Sequence, residues 1–200
     1  MEGVVIRAAR PEELPLLDAL VLRSKSHWVG GRVADVPDVT PKLTAADIAS
    51  RHVTVAERDG VPVGFYALNE HEDYLGIGLL FVDRPFIGTG VGRLLWGHLA
   101  GRAVALDARL LGVGADPRAE GFYLRMGMVR RHEFEHDGER LVWMVGEVAT
   151  VAGRPARDGG APPGRHPTAE DGSVRRERPA GPAGRPCAPR TYGPGCPARP

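Results

Sequence analysis

The chain has 200 residues, of which 42% are hydrophobic and 26% are charged, and its formal net charge at pH 7 is +1. Residues 151–200 contain nine Arg against four acidic residues, which leaves residues 1–150 at about −4. This acidic first part lacks the basic face that a nucleic-acid-binding domain requires, so the sequence argues against a nucleic-acid partner.

The N-terminal segment predicts one strand and two helices. Residues 4–7 form a β-branched run that is typical of a strand. Pro11 and the acids after it open a helix, whose apolar residues recur at helical spacing through about Ser24. Thr44 is a good cap for a second short helix over residues 45–50.

The next segment predicts three strands. Residues 53–57 and 61–68 flank an Asp-Gly turn, which is a strong hairpin pattern. Residues 74–82 are nearly all apolar but contain Gly76 and Gly78. These glycines suit a central strand with a bulge, or one that a ligand approaches closely.

The remaining elements alternate. A helix is predicted over 91–106, a buried strand over 110–113, a short helix over 119–126 and two final strands over 128–134 and 141–148. This order combines antiparallel hairpins with one strand-helix-strand crossover. It indicates a three-layer α/β fold with a mixed sheet.

The last quarter of the chain has a different composition. Pro, Gly, Ala and Arg dominate it, and it has few large apolar side chains to offset the entropy of ordering. We therefore expect a folded domain over 1–149 and a disordered tail over 150–200. Cys187 and Cys196 both fall in the tail, so the folded part has no thiol for covalent catalysis.

Targeting and membrane patterns are not evident. The chain has no charged start followed by an apolar run and no apolar stretch near 20 residues. We expect a cytoplasmic protein without a membrane partner. The histidines show no ligand spacing, so we expect no metal site.

The segment Gly88-Thr89-Gly90-Val91-Gly92 is the clearest functional pattern. Glycines at alternate positions between a strand and a helix let successive N–H groups turn toward one point, and the helix dipole adds positive potential there. The loop therefore favours a phosphate. It matches neither a P-loop nor a dinucleotide fingerprint, because Arg93-Leu94 follows it and the spacing is G-x-G-x-G.

Two motifs resemble those of a known family. Residues 83–95, read as Asp-Arg-Pro-Phe-Ile-Gly-Thr-Gly-Val-Gly-Arg-Leu-Leu, are followed some twenty residues later by the Ala-Glu-Gly-Phe-Tyr-Leu-Arg-Met-Gly segment at 119–127. Together they resemble the two central motifs of the GNAT N-acetyltransferase superfamily, over about residues 3–148. The resemblance implies a sheet of about seven strands flanked by about four helices and splayed open beside the fourth strand.

The resemblance also implies a cofactor. Acetyl-CoA would be the co-substrate, its pyrophosphate held by the loop amides and its pantetheine arm paired with the end of the fourth strand. The implied cofactor-binding residues are Phe81, Val82, Asp83, Ile87, Gly88, Thr89, Gly90, Val91, Gly92, Arg93, Arg118 and Phe122. The acetyl group would pass directly to a primary amine of a small molecule or peptide.

Roles for three further side chains follow from the resemblance. Tyr123 would be the general acid, giving the departing thiolate a proton or a hydrogen bond. The alternative is that Tyr123 is a half-buried helix residue packed with Phe122. His27 and Trp28 would line the acceptor pocket, with a surface histidine and a lid aromatic as the alternatives.

The sequence departs from the family pattern at several positions. Ile87 replaces a Gln or Arg, and Gly78 and Leu79 stand where related sequences often carry the base. Candidate substitute bases are Glu70, His71, Glu72 and Asp73, unless this charge run is simply a solvated loop or a water chain deprotonates the amine instead. A catalytically silent acyl-CoA-binding module thus remains the second hypothesis, and a nucleotide-binding domain the third. The acceptor and the oligomeric state stay open, a homodimer being one option.

Overall fold

The computed structural model describes residues 3–30, 32–36, 43–50 and 52–153. These residues form seven strands and five α-helices, together with four short 3₁₀ turns. In chain order the elements are β1 (Val4–Ala8), α1 (Leu14–Ser26), α2 (Ala45–Ala49), β2 (Val53–Arg58), β3 (Val61–Glu70), β4 (Leu75–Val82), α3 (Val91–Ala105), β5 (Leu110–Ala115), α4 (Glu120–Arg125), β6 (Val129–His136), β7 (Glu139–Glu147) and α5 (Val148–Ala152).

The strands form one sheet in the order β1-β2-β3-β4-β5-β7-β6. Every neighbouring pair is antiparallel except β4 and β5, which run parallel and are joined by α3. The predicted three-layer α/β fold with a mixed, mostly antiparallel sheet is confirmed. None of the helices within the described residues is long and apolar enough to cross a membrane.

Each face of the sheet has its own apolar core. On one face, α1 and α2 pack on the centre of the sheet through buried residues that include Leu17, Leu20, Ile48, Phe65 and Leu79. On the other, α3 and α5 pack through residues that include Val91, Leu95, Leu99, Val142 and Val151. We call these the α1 face and the α3 face.

The predicted bulge lies in β4. Ala67 of β3 is opposite Leu79, whereas the next residue, Leu68, is opposite Ile77. Gly78 is therefore the extra residue on β4 and falls out of the ladder with β3. The bulge changes which residues face α1, since Gly76, Gly78 and Leu79 all lie on that side.

A short C-terminal helix was not expected. The final strand ends at Glu147, and α5 continues to Ala152, with Val151 buried in the α3-face core. The helix extends three residues beyond the predicted boundary at Ala149, because Val148 and Val151 are spaced to pack on one side. The rest of the predicted tail, from residue 154 onward, lies outside the described residues.

One charged cluster ties the N-terminal elements together. The Arg7 guanidinium donates to Glu13 at 2.9 Å and to Glu57 of β2 at 2.7 Å, while Glu13 also accepts the Arg10 backbone N–H at 2.8 Å. Glu13 is buried. The hydrogen bonds from Arg7 lower the pKa of the Glu13 carboxyl despite its burial.

Replacing Glu13 with Gln tests this cluster. Because the pKa of Glu13 is lowered in the folded state, its contribution is present above its ordinary pKa of 4.5 and is lost as pH falls through the folded value. We expect Glu13→Gln to lower the free energy of unfolding at pH 7 by about 2–3 kcal/mol and to flatten its acid dependence. The exposed Glu12→Gln is the control. Equal urea midpoints at pH 7 for the two variants would refute the assignment.

Candidate functional site

The glycine loop lies at the surface between β4 and α3. A 3₁₀ turn over Arg84–Phe86 leads into it, and the Thr89 hydroxyl donates to the Phe86 carbonyl at 2.7 Å. Gly88 and Gly90 have φ values of +83° and +102°. Only glycine adopts this left-handed region without strain, so the two residues turn the chain directly into the first turn of α3.

The N-terminus of α3 points into this loop. The first N–H groups of a helix have no acceptor within the helix, and the helix dipole gives that end a partial positive charge. Gly90 is the N-cap and Val91 the first helical residue, and the loop glycine Gly88 is exposed. The N–H groups of Ile87 and Thr89, both in the predicted set, are bonded to the carbonyls of Arg84 and Phe86 at 3.3 and 3.2 Å. The arrangement suits an anion such as a phosphate.

Three predicted residues meet beside the loop. A Cβ placed on Gly92 would lie 3.4 Å from the Phe122 ring of α4 and 3.7 Å from the Val82 side chain of β4. These are ordinary contact distances, so the start of α3 lies beside both α4 and the end of β4. As a result the loop, α4 and the end of β4 form one continuous surface.

The strands β4 and β5 part soon after they meet. Their ladder consists of Leu75 with Leu111 and Gly76 with Gly112, and the described residues farther along the two strands do not pair with each other. A gap therefore opens between residues 77–82 of β4 and the end of β5. Such a gap can admit an extended ligand that bonds to the exposed strand edge.

The pairing of β4 with β3 decides which backbone groups face the gap. Asp83 donates its N–H to the Val63 carbonyl at 2.9 Å. Because residues in an antiparallel ladder alternate in direction, Phe81 also bonds toward β3, whereas Leu80 and Val82 point toward the gap. Of the predicted Phe81, Val82 and Asp83, Val82 therefore has backbone groups that face the gap, as does Leu80, and the binding of a pantetheine arm at this edge stays a prediction.

The end of α1 spans this gap. Arg23 makes a bidentate ion pair with Asp83 at the end of β4, at 3.0 and 2.8 Å. Two residues farther along the helix, Lys25 binds Glu139 of β7 at 2.8 Å. These two ion pairs hold α1 to strands on both sides of the gap.

Arg118, in the turn before α4, forms an ion pair with Asp116. Its guanidinium binds the Asp116 carboxylate at 2.9 and 2.6 Å, and Asp116 also accepts the Arg118 backbone N–H. Although burial opposes it, this pairing lowers the pKa of Asp116. A contact between Arg118 and a phosphate would require the guanidinium to exchange this partner.

Tyr123 is buried on the α3 face. Its ring packs edge-on against Trp96 of α3 and Phe122, with centroid distances of 6.1 and 5.3 Å. Burial raises its pKa well above the ordinary phenol value. Tyr123 is therefore neutral and keeps its proton throughout the physiological pH range.

His27 and Trp28 lie just after α1, where both side chains are exposed. Their rings touch edge to face at a centroid distance of 4.8 Å. A pocket beside the gap is lined by other described residues and includes neither of them. Their predicted role in acceptor binding stays a prediction.

That pocket lies on the α1 face beside β4, β5, β6 and β7. Its floor is formed by Gly76 and Gly78 of β4 and by Gly112 and Gly114 of β5, and its walls include Tyr74, Phe134, Leu141 and Trp143. Alternate glycines in two neighbouring strands were visible in the sequence. The side chains that cover them come from a turn and from the last hairpin, so local patterns did not identify them.

The structure also separates the four substitute bases. The side chain of His71 lines this pocket, whereas Glu70, Glu72 and Asp73 are exposed, with Glu70 3.8 Å from His52. No group of three His, Cys, Asp or Glu side chains among the described residues could hold a metal ion.

The chain is similar to a known protein family. The model of the acetyltransferase (GNAT) domain matches residues 32–148. No curated protein gives a significant match.

Solved structures share the fold. A GCN5-related N-acetyltransferase from Rhodopseudomonas palustris is 23% identical, with a TM-score of 0.56 over 74% of this chain and 97% of that one. The PaiA N-acetyltransferase from Thermoplasma acidophilum in complex with coenzyme A is 13% identical, with a TM-score of 0.58 over 72% and 99%. The ribosomal-protein-S18-alanine N-acetyltransferase from Escherichia coli is 14% identical, with a TM-score of 0.55 over 72% and 94%.

Proposed function

The chain belongs to the GNAT acetyltransferase family, and from this premise we propose that it transfers an acetyl group from acetyl-CoA to a primary amine of a small molecule or peptide. The observation that carries the proposal is the glycine loop at the start of α3, placed directly beside the free edge of β4. The loop would bind the pyrophosphate of CoA, and the open strand edge would bind the amides of its pantetheine arm.

Acetyl-CoA would bind along the loop and then into the gap. The first N–H groups of α3 would hold the pyrophosphate. The pantetheine amides would pair with the backbone of Val82 and Leu80, as an added strand does. The structure of the Thermoplasma acidophilum relative with coenzyme A supports this choice of ligand.

The reaction would be a direct attack in a ternary complex. The described residues include no cysteine, so the acetyl group would pass from the CoA sulfur to the amine without a thioester on the protein. Gly78 has no partner in the β3 register at the bulge, and its backbone N–H would stabilise the oxyanion of the tetrahedral intermediate.

Tyr123 would act mainly as a hydrogen-bond donor to the leaving thiolate. A thiol has a pKa of about 8.5, so a phenol whose pKa lies above 10 is the weaker acid of the two. Full proton transfer from Tyr123 is therefore unfavourable, whereas a hydrogen bond that stabilises the thiolate as it forms is not.

Thiol release tests the proposed function. The purified chain is incubated with acetyl-CoA and a panel of primary amines at pH values up to about 9, and free CoA is followed with a thiol reagent. Amine-dependent release supports the proposal. Tight binding of acetyl-CoA without release for any amine would instead favour the silent acyl-CoA-binding module.

Changing the loop should weaken cofactor binding. Ala at position 90 would have to adopt a φ of +102° or displace the first turn of α3. We expect Gly90→Ala to raise the Kd for CoA about tenfold or more, as measured by calorimetry. Gly97→Ala in the same helix is the control, because a Cβ there meets nothing within 4 Å. If both variants bind CoA with the Kd of the parent, the proposed phosphate site at the glycine loop is refuted.

Removing the Tyr123 hydroxyl should affect turnover and spare binding. We expect Tyr123→Phe to lower kcat about 100-fold, with the Kd for CoA and the Tm nearly unchanged, because the ring still fills its place against Trp96. Steady-state kinetics and calorimetry check this. Full turnover by the Phe variant would show that the Tyr123 hydroxyl takes no part in the reaction and that the ring serves packing alone.

A further inference from the structure

The pocket on the α1 face faces the site of chemistry from the side opposite Tyr123. Leu75 and Ile77 belong to the α3-face core, so Gly76 between them points to the α1 face. Tyr123, by contrast, packs in the α3-face core. The gap between β4 and β5 thus separates the phenol from the pocket.

His71 lies directly on the floor of this pocket. Its ring stacks on Tyr74 with a centroid distance of 4.3 Å and an interplanar angle of 18°, and its backbone N–H donates to the Tyr74 carbonyl at 3.1 Å. A Cβ on Gly76 would lie 2.9 Å from His71 Nε2. The glycine is therefore what allows the imidazole to rest against β4, two residues before the bulge at Gly78.

The surroundings of His71 favour its neutral form. Burial lowers its pKa below the ordinary histidine value of 6.5. His136 of β6 lines the same pocket, and Asn69 approaches from β3. The carboxylates of its own turn, Glu70, Glu72 and Asp73, are exposed to solvent. At pH 7 the imidazole thus has a lone pair ready to take a proton.

The walls indicate the chemistry of the acceptor. Trp143 lies edge-on to Tyr74 at a centroid distance of 5.5 Å, and the opposite wall is formed by Phe134 and Leu141. No Asp, Glu, Lys or Arg is among the described residues that line the pocket. Aromatic faces attract a primary ammonium group and cover an apolar body. The cavity of about 40 Å³ admits the amine end of such a molecule, roughly the space of three water molecules.

Building on the proposed acetyl transfer, we propose that this pocket receives the acceptor and that His71 is the base that deprotonates it. The acceptor is a primary amine on an apolar, preferably aromatic, body. His71 takes one proton from the bound ammonium group and passes it to solvent. The free amine then attacks the thioester carbonyl, the C–N bond forms and the C–S bond breaks, and the remaining excess proton on nitrogen ends on the CoA sulfur.

Variants of His71 test the base. We expect His71→Gln to lower kcat/KM about 100-fold or more and to remove the acid limb of its pH profile, with the Kd for CoA and the Tm close to the parent values. Glu72→Gln, one residue farther along the same turn and exposed, is the matched control and should keep the parent profile.

Chemical rescue separates a base from a packing residue. His71→Ala leaves a space over Gly76, and added imidazole should restore part of its turnover while leaving the Kd for CoA unchanged. Loss of activity in both variants without rescue, and with a lowered Tm, would mean that His71 serves the fold. A parent-like pH profile in His71→Gln would also overturn the assignment.

A pair of amines tests the acceptor class. We expect 2-phenylethylamine to be acetylated with a kcat/KM at least tenfold higher than that of ethanolamine, since its phenyl group can pack against the aromatic side chains beside the cavity while its amine end enters. An equal or reversed preference would contradict the proposed acceptor class. An inactive parent protein would refute the acetyl transfer itself, whereas an active parent with unaffected His71 variants would refute the inference alone.

Discussion

The early separation of β4 from β5 is the constraint on which the rest of the structure depends. Two residue pairs join these parallel strands before they diverge, so the edge of β4 from Ile77 onward is left without a partner strand. An unpaired strand edge inside a sheet is costly unless something bonds to it. The proposed pairing with the pantetheine arm would satisfy this edge, and the glycine loop and the start of α3 lie where β4 ends.

The gap also connects the two faces of the sheet. Tyr123 of α4 is buried against Trp96 of α3 on one side, and His71 rests against β4 on the other. A thioester lying in the gap would be approached by an amine from the α1 face and would release its thiolate toward the α3 face. The ion pairs of Arg23 with Asp83 and of Lys25 with Glu139 hold α1 across the gap on the side of His71.

The sequence predicted those features that depend on local patterns. Hydrophobic periodicity identified the strands and the main helices, Gly76 and Gly78 indicated the bulge, and Gly88 and Gly90 indicated the tight turn into α3. Contacts between distant segments were not accessible in this way. Lys25 and Glu139 are 114 residues apart, and the side chains that cover Gly112 come from Tyr74 and Trp143. The sequence also could not distinguish His71 from the other three candidate bases. Only the structure shows that the His71 side chain lies on the sheet while the others are exposed to solvent. The helix α5 was missed because its five residues continue directly from a strand.

A crystal structure of the chain with CoA bound tests the central claim most directly. The account predicts that the pantetheine arm lies in the gap, with its amides bonded to the backbone of Leu80 and Val82 and its pyrophosphate at the N-terminus of α3. The sulfur should then lie near Gly78, with Tyr123 on one side and His71 on the other. A thiol found outside the gap, with β4 and β5 closed against each other, would contradict the account.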